Sequence, residues 1–408
     1  MKKQVAIIGG GPAALMLAAH LDEDKFDVVI YEKNTALGRK FLVAGDGGFN
    51  LTHSENTDAF INKYTPASFF QTLINTFSNT DLINWLKAIG IDTFVGSSKR
   101  VYPIYGIKPI NVLNAIIQVL KQKNVTIKTK HHWVGWHDNQ LLFKVSENTN
   151  ANTFSELKVG PDIVVFALGG ATWSVTGSDG TWTDYFKQKN ISTLPFMPSN
   201  CAFQVSWNMQ FIKIAEGQSL KNIVVKCDNF EKLGELVITK FGLEGGAIYA
   251  LSGQLRKKLQ QNEKAHLYID LKPQWSVLEI ETKLNGRGNK SISDCLKNSL
   301  NLPALVCQLL KTGLSKDEYT NTKTLSEKIK NYHILITDLA PIDEAISSVG
   351  GIPLSEINSD FELIKLPKNY VIGEMLDWDA PTGGYLLQAC FSMGYCLATK
   401  LNKIALIN

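Results

Sequence analysis

Val5-Ala6-Ile7-Ile8-Gly9-Gly10-Gly11-Pro12-Ala13-Ala14 is the stretch that decides the fold. Its apolar start reads as a short buried parallel strand. Helical spacing takes over after Pro12, through Leu15, Leu17, Ala18 and Leu21. A second apolar run at 27–31 ends at Glu32. Strand, glycine turn, helix and strand within about 30 residues make a dinucleotide-binding unit. Gly9, Gly11 and Ala14 fit its G-x-G-x-x-[GA] pattern. Gly9 allows the tight turn, Gly11 lets the backbone approach a diphosphate, and Ala14 keeps the helix close to the strand. Pro12 and Ala13 open the helix, where N–H groups lack intrahelical partners and favour an anion. Glu32 is placed to accept hydrogen bonds from a ribose diol, and its charge disfavours NADP in this site.

The next segment separates FAD from NAD. Gly38-Arg39-Lys40 is followed by Ala44-Gly45-Asp46-Gly47-Gly48-Phe49-Asn50-Leu51-Thr52. This second glycine-rich loop, with Asp46, Gly47, Gly48, Asn50 and Thr52, extends the site beyond one diphosphate and offers partners along a ribityl chain. Further on, an apolar run at 162–168 ends in Gly169-Gly170, a central strand and a tight turn near the cofactor. Near the C-terminus a strand at 370–372 leads into Gly373-Glu374-Met375-Leu376-Asp377, then Thr382-Gly383-Gly384 and a helix to about residue 400. In folds of this type such a second helix start points at the flavin pyrimidine, where negative charge builds on reduction. The cofactor domain is therefore expected to be discontinuous.

Composition bounds the alternatives. The chain has 408 residues, 44% hydrophobic and 20% charged, as in globular proteins of two to three domains. No apolar run approaches the length of a membrane span, so no membrane partner is expected. Met1-Lys2-Lys3 and the apolar residues after it imitate a signal peptide, but the Gly9–Pro12 run breaks the apolar core. Six cysteines form no C-x-x-C pair and no zinc-ligand spacing, which points to reduced thiols in a cytoplasmic protein without a metal. The net charge of +4 does not argue for nucleic acid. Residues 256–330 nevertheless hold 14 Lys/Arg against 8 Asp/Glu. This stretch is either a solvated helical surface or a candidate RNA contact.

Between the glycine motifs, 81–89 and 110–121 read as amphipathic helices, and 125–128 and 141–145 as strands. Strand-like runs at 201–205, 222–227, 235–239 and 266–271 precede a lysine-rich helical stretch over 274–330, and 334–339 returns to strand. No second nucleotide motif is present, so a nicotinamide donor would dock without a domain of its own.

The combination of Val5–Ala14, Glu32-Lys33, Gly38–Lys40, Gly45–Thr52, Ala167–Gly170, Val349–Ile352 and Gly373–Tyr385 resembles the BaiN/YhiN-type family of bacterial FAD-dependent oxidoreductases. The resemblance spans nearly the whole chain. Many relatives have a Gly-Arg-Cys-Asn-type sequence where this chain has Gly48-Phe49-Asn50, so functions that need that thiol do not carry over. The resemblance implies an α/β protein with a discontinuous Rossmann-like FAD-binding domain (1–192 and 343–408). A β-barrel-like domain (193–273 and 331–342) and a helical basic insertion (274–330) complete it. It adds Lys33, Arg39, Lys40, Val134 (beside the adenine), Ala167 and Glu374 (on the ribityl chain) to the cofactor residues. Asp377 and Asp379 are candidates for a general acid or base, and Asp377 also for cofactor binding. Tyr102 and Lys108 are candidates for the substrate side. The implied activity is hydride transfer from NAD(P)H through flavin N5 to an unsaturated small molecule or RNA base. The alternatives are an amine oxidase and an RNA-binding flavoprotein acting in uridine reduction.

Overall fold

β1 (Lys3–Ile8) and β2 (Phe26–Tyr31) run parallel in register, Val5 opposite Val28 and Ile7 opposite Ile30, joined by α1 (Pro12–His20). This is the arrangement that the two apolar runs and the glycine turn predict. In the computed structural model, residues 1–43, 48–146, 154–262 and 264–404 are described. The chain divides into two compact units, Met1–Met197 with Ser347–Asn408, and Pro198–Ile346.

In the first unit, β3 (Thr52–His53), β4 (Thr93–Val95) and β5 (Arg100–Pro103) form a small antiparallel sheet in the order β3-β5-β4. β6 (Thr126–Lys128) joins the main sheet. β7 (His131–His137), β8 (Gln140–Ser146) and β9 (Phe154–Val159) make an antiparallel meander. β10 (Ile163–Phe166) pairs with β1 and with the strand Asn369–Val371. The main sheet thus runs Asn369–Val371, β10, β1, β2, β6, and every neighbouring pair is parallel. Its strands are nearly continuous apolar runs because helices and loops cover it.

α1 buries seven of its nine residues, among them Leu15, Met16 and Leu17. Full burial of such a side chain stabilises by roughly 1.5–3 kcal/mol. Its face is shared with the last helix, Tyr385–Ile404. Gly394 permits that approach: a Cβ there would meet the Ala13 carbonyl oxygen and lie 2.9 Å from Leu17 N.

Several expectations are displaced by a few residues. The helix expected over 81–89 is Asn79–Ala88, because Ser78 and Asp81 form a capping box one turn earlier. The run 133–136 is part of β7, where the register shifts between Trp133 and Trp136 and Gly135 has φ +107°.

The second unit holds a seven-stranded sheet whose neighbours are all antiparallel. Its edge strands are Tyr332–Ile336 and Asp338–Leu339. Thr337 alone separates them in the chain, so the sheet curls until its edges meet within the reach of one residue. Helices Val277–Asn285, Ala304–Gly313 and Thr322–Lys330 pack through Ile280, Leu284, Leu309, Leu325 and Ile329 onto the same core as Leu267 and Ile269.

Candidate cofactor site

A cleft enclosing about 910 Å³ opens at the carboxyl ends of β1, β2 and β10, where open α/β sheets bind ligands. Its floor is the turn Gly9–Pro12. Gly9 has φ +102°, and a Cβ there would collide with the Ala167 carbonyl oxygen, so the turn is held against the end of β10. Gly11 is the opposite case: a Cβ built on it meets nothing within 4 Å. The space above Gly11 is a cradle that a side chain would fill. α1 begins there with no side-chain cap, leaving its N–H groups and dipole to an anion.

Glu32 closes one side. It is buried, and its Oε2 accepts from the Gly10 N–H at 2.8 Å. Its Oε1 accepts from the Asn34 N–H at 2.8 Å and Asn34 Nδ2 at 2.7 Å. These bonds aim the carboxylate, and Oε2, which accepts only one of them, keeps a lone pair for a ribose hydroxyl. Asn34 Oδ1 in turn accepts from Arg39 Nη1 at 2.8 Å. Arg39 is exposed and has a neutral partner here, so its charge is available to a diphosphate.

Lys40 joins two distant segments, donating to Thr172 Oγ1 at 2.6 Å and pairing with Glu374 at 3.1 Å. Lys33 pairs with Asp179 at 2.8 Å. Burial pushes the Asp179 carboxyl up, but hydrogen bonds from Lys33 and Thr181 outweigh it and leave the group below its usual value. His131, His132 and Trp133 bring β7 to the wall. Burial and then Lys33 lower the His132 pKa, so its imidazole is neutral near pH 7.

Among the cofactor residues expected from sequence, the cleft gathers Gly9, Gly11, Pro12, Glu32, Lys33, Arg39, Lys40, Ala167, Gly169 and Glu374. Ala13 and Ala14 lie behind it as buried packing residues of α1. Gly170 sits against Ser348, whose hydroxyl accepts from the Ala171 N–H at 3.0 Å. Gly373 has φ +81° and packs on the first turn of α1, a Cβ there lying 3.2 Å from that of Ala13. Asp46 and Gly47 lie outside the described residues.

Other expected residues lie away from the cleft lining. Val134 is not among the residues that line the cleft; the strand reaches it through His131–Trp133, and the pairing register shifts directly after Trp133. Thr52 is fully buried, and its hydroxyl donates to Gln388 Oε1 at 2.7 Å, so it is a core residue that cannot touch a ligand. Gly384 rests on it: a Cβ would lie 2.5 Å from Thr52 Cα. Asp377 Oδ1 accepts from the Gly350 N–H at 2.9 Å, which fastens the positive-φ pair Gly350-Gly351. Asp379 Oδ1 accepts from the Ala380 N–H at 2.9 Å. Lys108 is exposed, and its N–H donates to Asn111 Oδ1 at the start of the helix Pro109–Gln122. Gly48, Asn50, Thr382 and Gly383 are outside the cleft, and the first and last of these border β5.

Asn34, Thr172 and Asp179 were not foreseen. Asn34, two residues after the acid, is an Asx-type partner that the spacing alone could have suggested. Thr172 and Asp179 carry no local signal.

Three lysines of the basic segment 256–330 have acidic partners, one of them from outside the segment. Lys258 pairs with Asp228, Lys328 with Glu318 and Lys330 with Asp270. Arg256 is buried and donates to the Pro198 carbonyl at 3.2 Å.

A cleft at the strand ends, an open glycine cradle, a bare helix start and an aimed acid define a Rossmann-type dinucleotide site. Residues 3–400 match the family described as HI0933-like protein Rossmann domain. The chain belongs to this family, the BaiN/YhiN family of FAD-dependent oxidoreductases. It is 23% identical to a 3-dehydro-bile acid delta(4,6)-reductase of Clostridium scindens, over 96% of this chain and 97% of the relative. It is also 23% identical to a ribosomal RNA dihydrouridine synthase of Haemophilus influenzae, over 97% and 98% of the two chains. The fold resembles a 3-ketosteroid-delta4-(5alpha)-dehydrogenase of Rhodococcus jostii RHA1 with a TM-score of 0.51 at 12% identity, covering 97% of this chain and 96% of that one. No described helix is long and apolar enough to cross a membrane.

Proposed function

We propose that this chain is an FAD-dependent reductase that takes reducing equivalents from NAD(P)H and delivers them to an unsaturated substrate. The single observation that carries the cofactor assignment is the open cradle over Gly11 at the uncapped start of α1, with Glu32 aimed beside it. Bound FAD supplies the redox chemistry, with hydride entering and leaving at N5. The chain's residues do the rest. Gly11 and the first turn of α1 hold the diphosphate, and Glu32 holds the adenosine ribose. Arg39 adds charge at the rim. Lys40, held between Thr172 and Glu374, orients Glu374 toward the ribityl hydroxyls. The bile-acid relative is named a reductase, and we carry over that direction of electron flow.

We further propose the division into an FAD-binding domain (1–192 and 343–408), a barrel-like domain (193–273 and 331–342) and a helical insertion (274–330). The meeting of the two sheet edges across Thr337 supports the barrel-like reading. We place the enzyme in the cytoplasm, a reading supported by six thiols that are all free.

The test is an anaerobic titration with NADPH, then NADH, following the flavin absorbance. The expected result is bleaching by at least one nicotinamide. A flavin band that neither bleaches would overturn the donor assignment. If the band is absent even after addition of FAD, the cofactor assignment fails as well.

A further inference from the structure

The β3-β5-β4 sheet carries a face that the cofactor cleft does not use. Arg100 and Tyr102 alternate along β5 with the buried Val101 and Pro103, so both project to the same side. Phe94 of β4 stands directly opposite Tyr102, and the rings stack at 5.6 Å and 27°. His53 of β3 stands opposite Arg100 and stacks on Tyr385 at 5.3 Å. This face therefore presents two stacked aromatic rings beside a cation. Phe94 remains 48% exposed, a large apolar side chain with one open side.

Among the described residues Arg100 forms no ion pair, although it is half-buried. The nearby carboxylate, Glu55, accepts the Tyr385 hydroxyl instead. Both loops expected at the flavin end touch this face. A Cβ on Gly48 would lie 3.3 Å from Tyr102 Cε1, and one on Gly383 would lie 3.5 Å from Arg100 Nε. Each of those glycines has positive φ, +102° and +119°, which holds the loop backbone close to the sheet.

We propose that this face is the substrate-binding wall, and that it takes a planar conjugated carboxylate. The ring system lies on the open side of Phe94, which Tyr102 backs by stacking, and the carboxylate pairs with the guanidinium of Arg100. An aromatic pair offers a flat apolar surface of the right shape for a fused or conjugated ring. A guanidinium with no ion pair among the described residues is matched by a carboxylate, with which it forms two parallel hydrogen bonds. Arg100 is thus a specificity-determining residue. The placement beside flavin rests on the FAD reading above; the binding of the acid does not.

Calorimetric titration of the flavin-loaded protein with 2-naphthoate and with its neutral isostere 2-naphthamide separates the two terms. The expected result is that naphthoate binds about tenfold more tightly, the size of one charge-assisted contact. Arg100→Gln should remove that preference and leave naphthamide binding unchanged. Arg100→Lys should restore part of it, and Tyr102→Ala should weaken both ligands. Equal binding of the two ligands, no binding of either, or a preference that survives Arg100→Gln would overturn the proposal. Circular dichroism shows that each variant is folded, and Arg100→Lys serves if the glutamine variant is not. The flavin-to-protein absorbance ratio of the same samples reports on the cofactor assignment independently, so failure of one reading is distinguishable from failure of the other.

Discussion

A Cβ at Gly11 would stand in the space where a diphosphate fits, with no protein atom within 4 Å of it. Gly11→Val is therefore expected to keep the fold and lose the flavin. The absorbance ratio of flavin to protein should fall about tenfold or more, while the thermal midpoint of the flavin-free protein stays within a few degrees of wild type. An unchanged ratio would remove Gly11 from the site. Asp179 makes a prediction about pH. Its carboxyl lies below the usual value near 3.8, because the Lys33 and Thr181 bonds outweigh burial. A depressed folded-state pKa contributes stability above the unfolded value, and the contribution is lost as pH falls through the folded pKa. Wild type should therefore exceed Asp179→Asn in urea midpoint at pH 6. The gap should close on acidification below about pH 4, as read from urea titrations across that range. A gap independent of pH would show that the pairing with Lys33 does not stabilise the fold.

The last helix depends on contacts made far from it in sequence. Gln388 is fully buried, accepts from the Thr52 hydroxyl and donates to the Phe77 carbonyl and to Ser392 Oγ. Thr52→Val keeps the shape and removes the donor, leaving a buried amide oxygen unsatisfied. The expected cost is about 1–3 kcal/mol, measured as a shift in denaturant midpoint, with flavin affinity unchanged once folded. Weakened flavin binding at unchanged stability would return Thr52 to the cofactor site. The same element shows how far local reading reaches. The sequence identifies 386–400 as a helix, but only the packed structure shows that Gly394 meets the Ala13 carbonyl. The hairpin of β4 and β5 had no comparable signal. Its strands are three and four residues long, too short for a period to show, and they are held by cross-strand pairing.

At the scale of the whole molecule, the cysteines are spread over both units, and all are free. Burial pushes the Cys201 and Cys396 thiols up to about 11, and it raises Cys227, Cys307 and Cys390 as well. A thiol kept protonated is a poor nucleophile. The native protein should react slowly with a disulfide reagent at pH 8, and all six thiols should titrate in denaturant. A fast-reacting thiol in the folded protein would contradict this burial. The charge of residues 256–330 is a second lesson at this scale. The sequence places 14 basic residues there, and the fold pairs Lys258, Lys328 and Lys330 with acids while burying Arg256. A linear charge count includes Glu318 and Asp270 but not Asp228, and it does not show which lysine each acid meets.

The sequence by itself determined the first strand, turn, helix and second strand, the turn glycines, Glu32 and the discontinuity of the Rossmann unit. Those features are local. They follow from apolar periodicity and from the few residues that permit a tight turn or a bare helix start. Tertiary structure alone decided that Lys40 bridges Thr172 and Glu374, that Lys33 meets Asp179, and that Thr52 belongs to the core. It also decided that Arg100 and Tyr102 share a face with Phe94. Each of these joins side chains through strand pairing or packing between separate segments, and no local pattern of residues encodes a contact whose partner is set by the path of the whole chain.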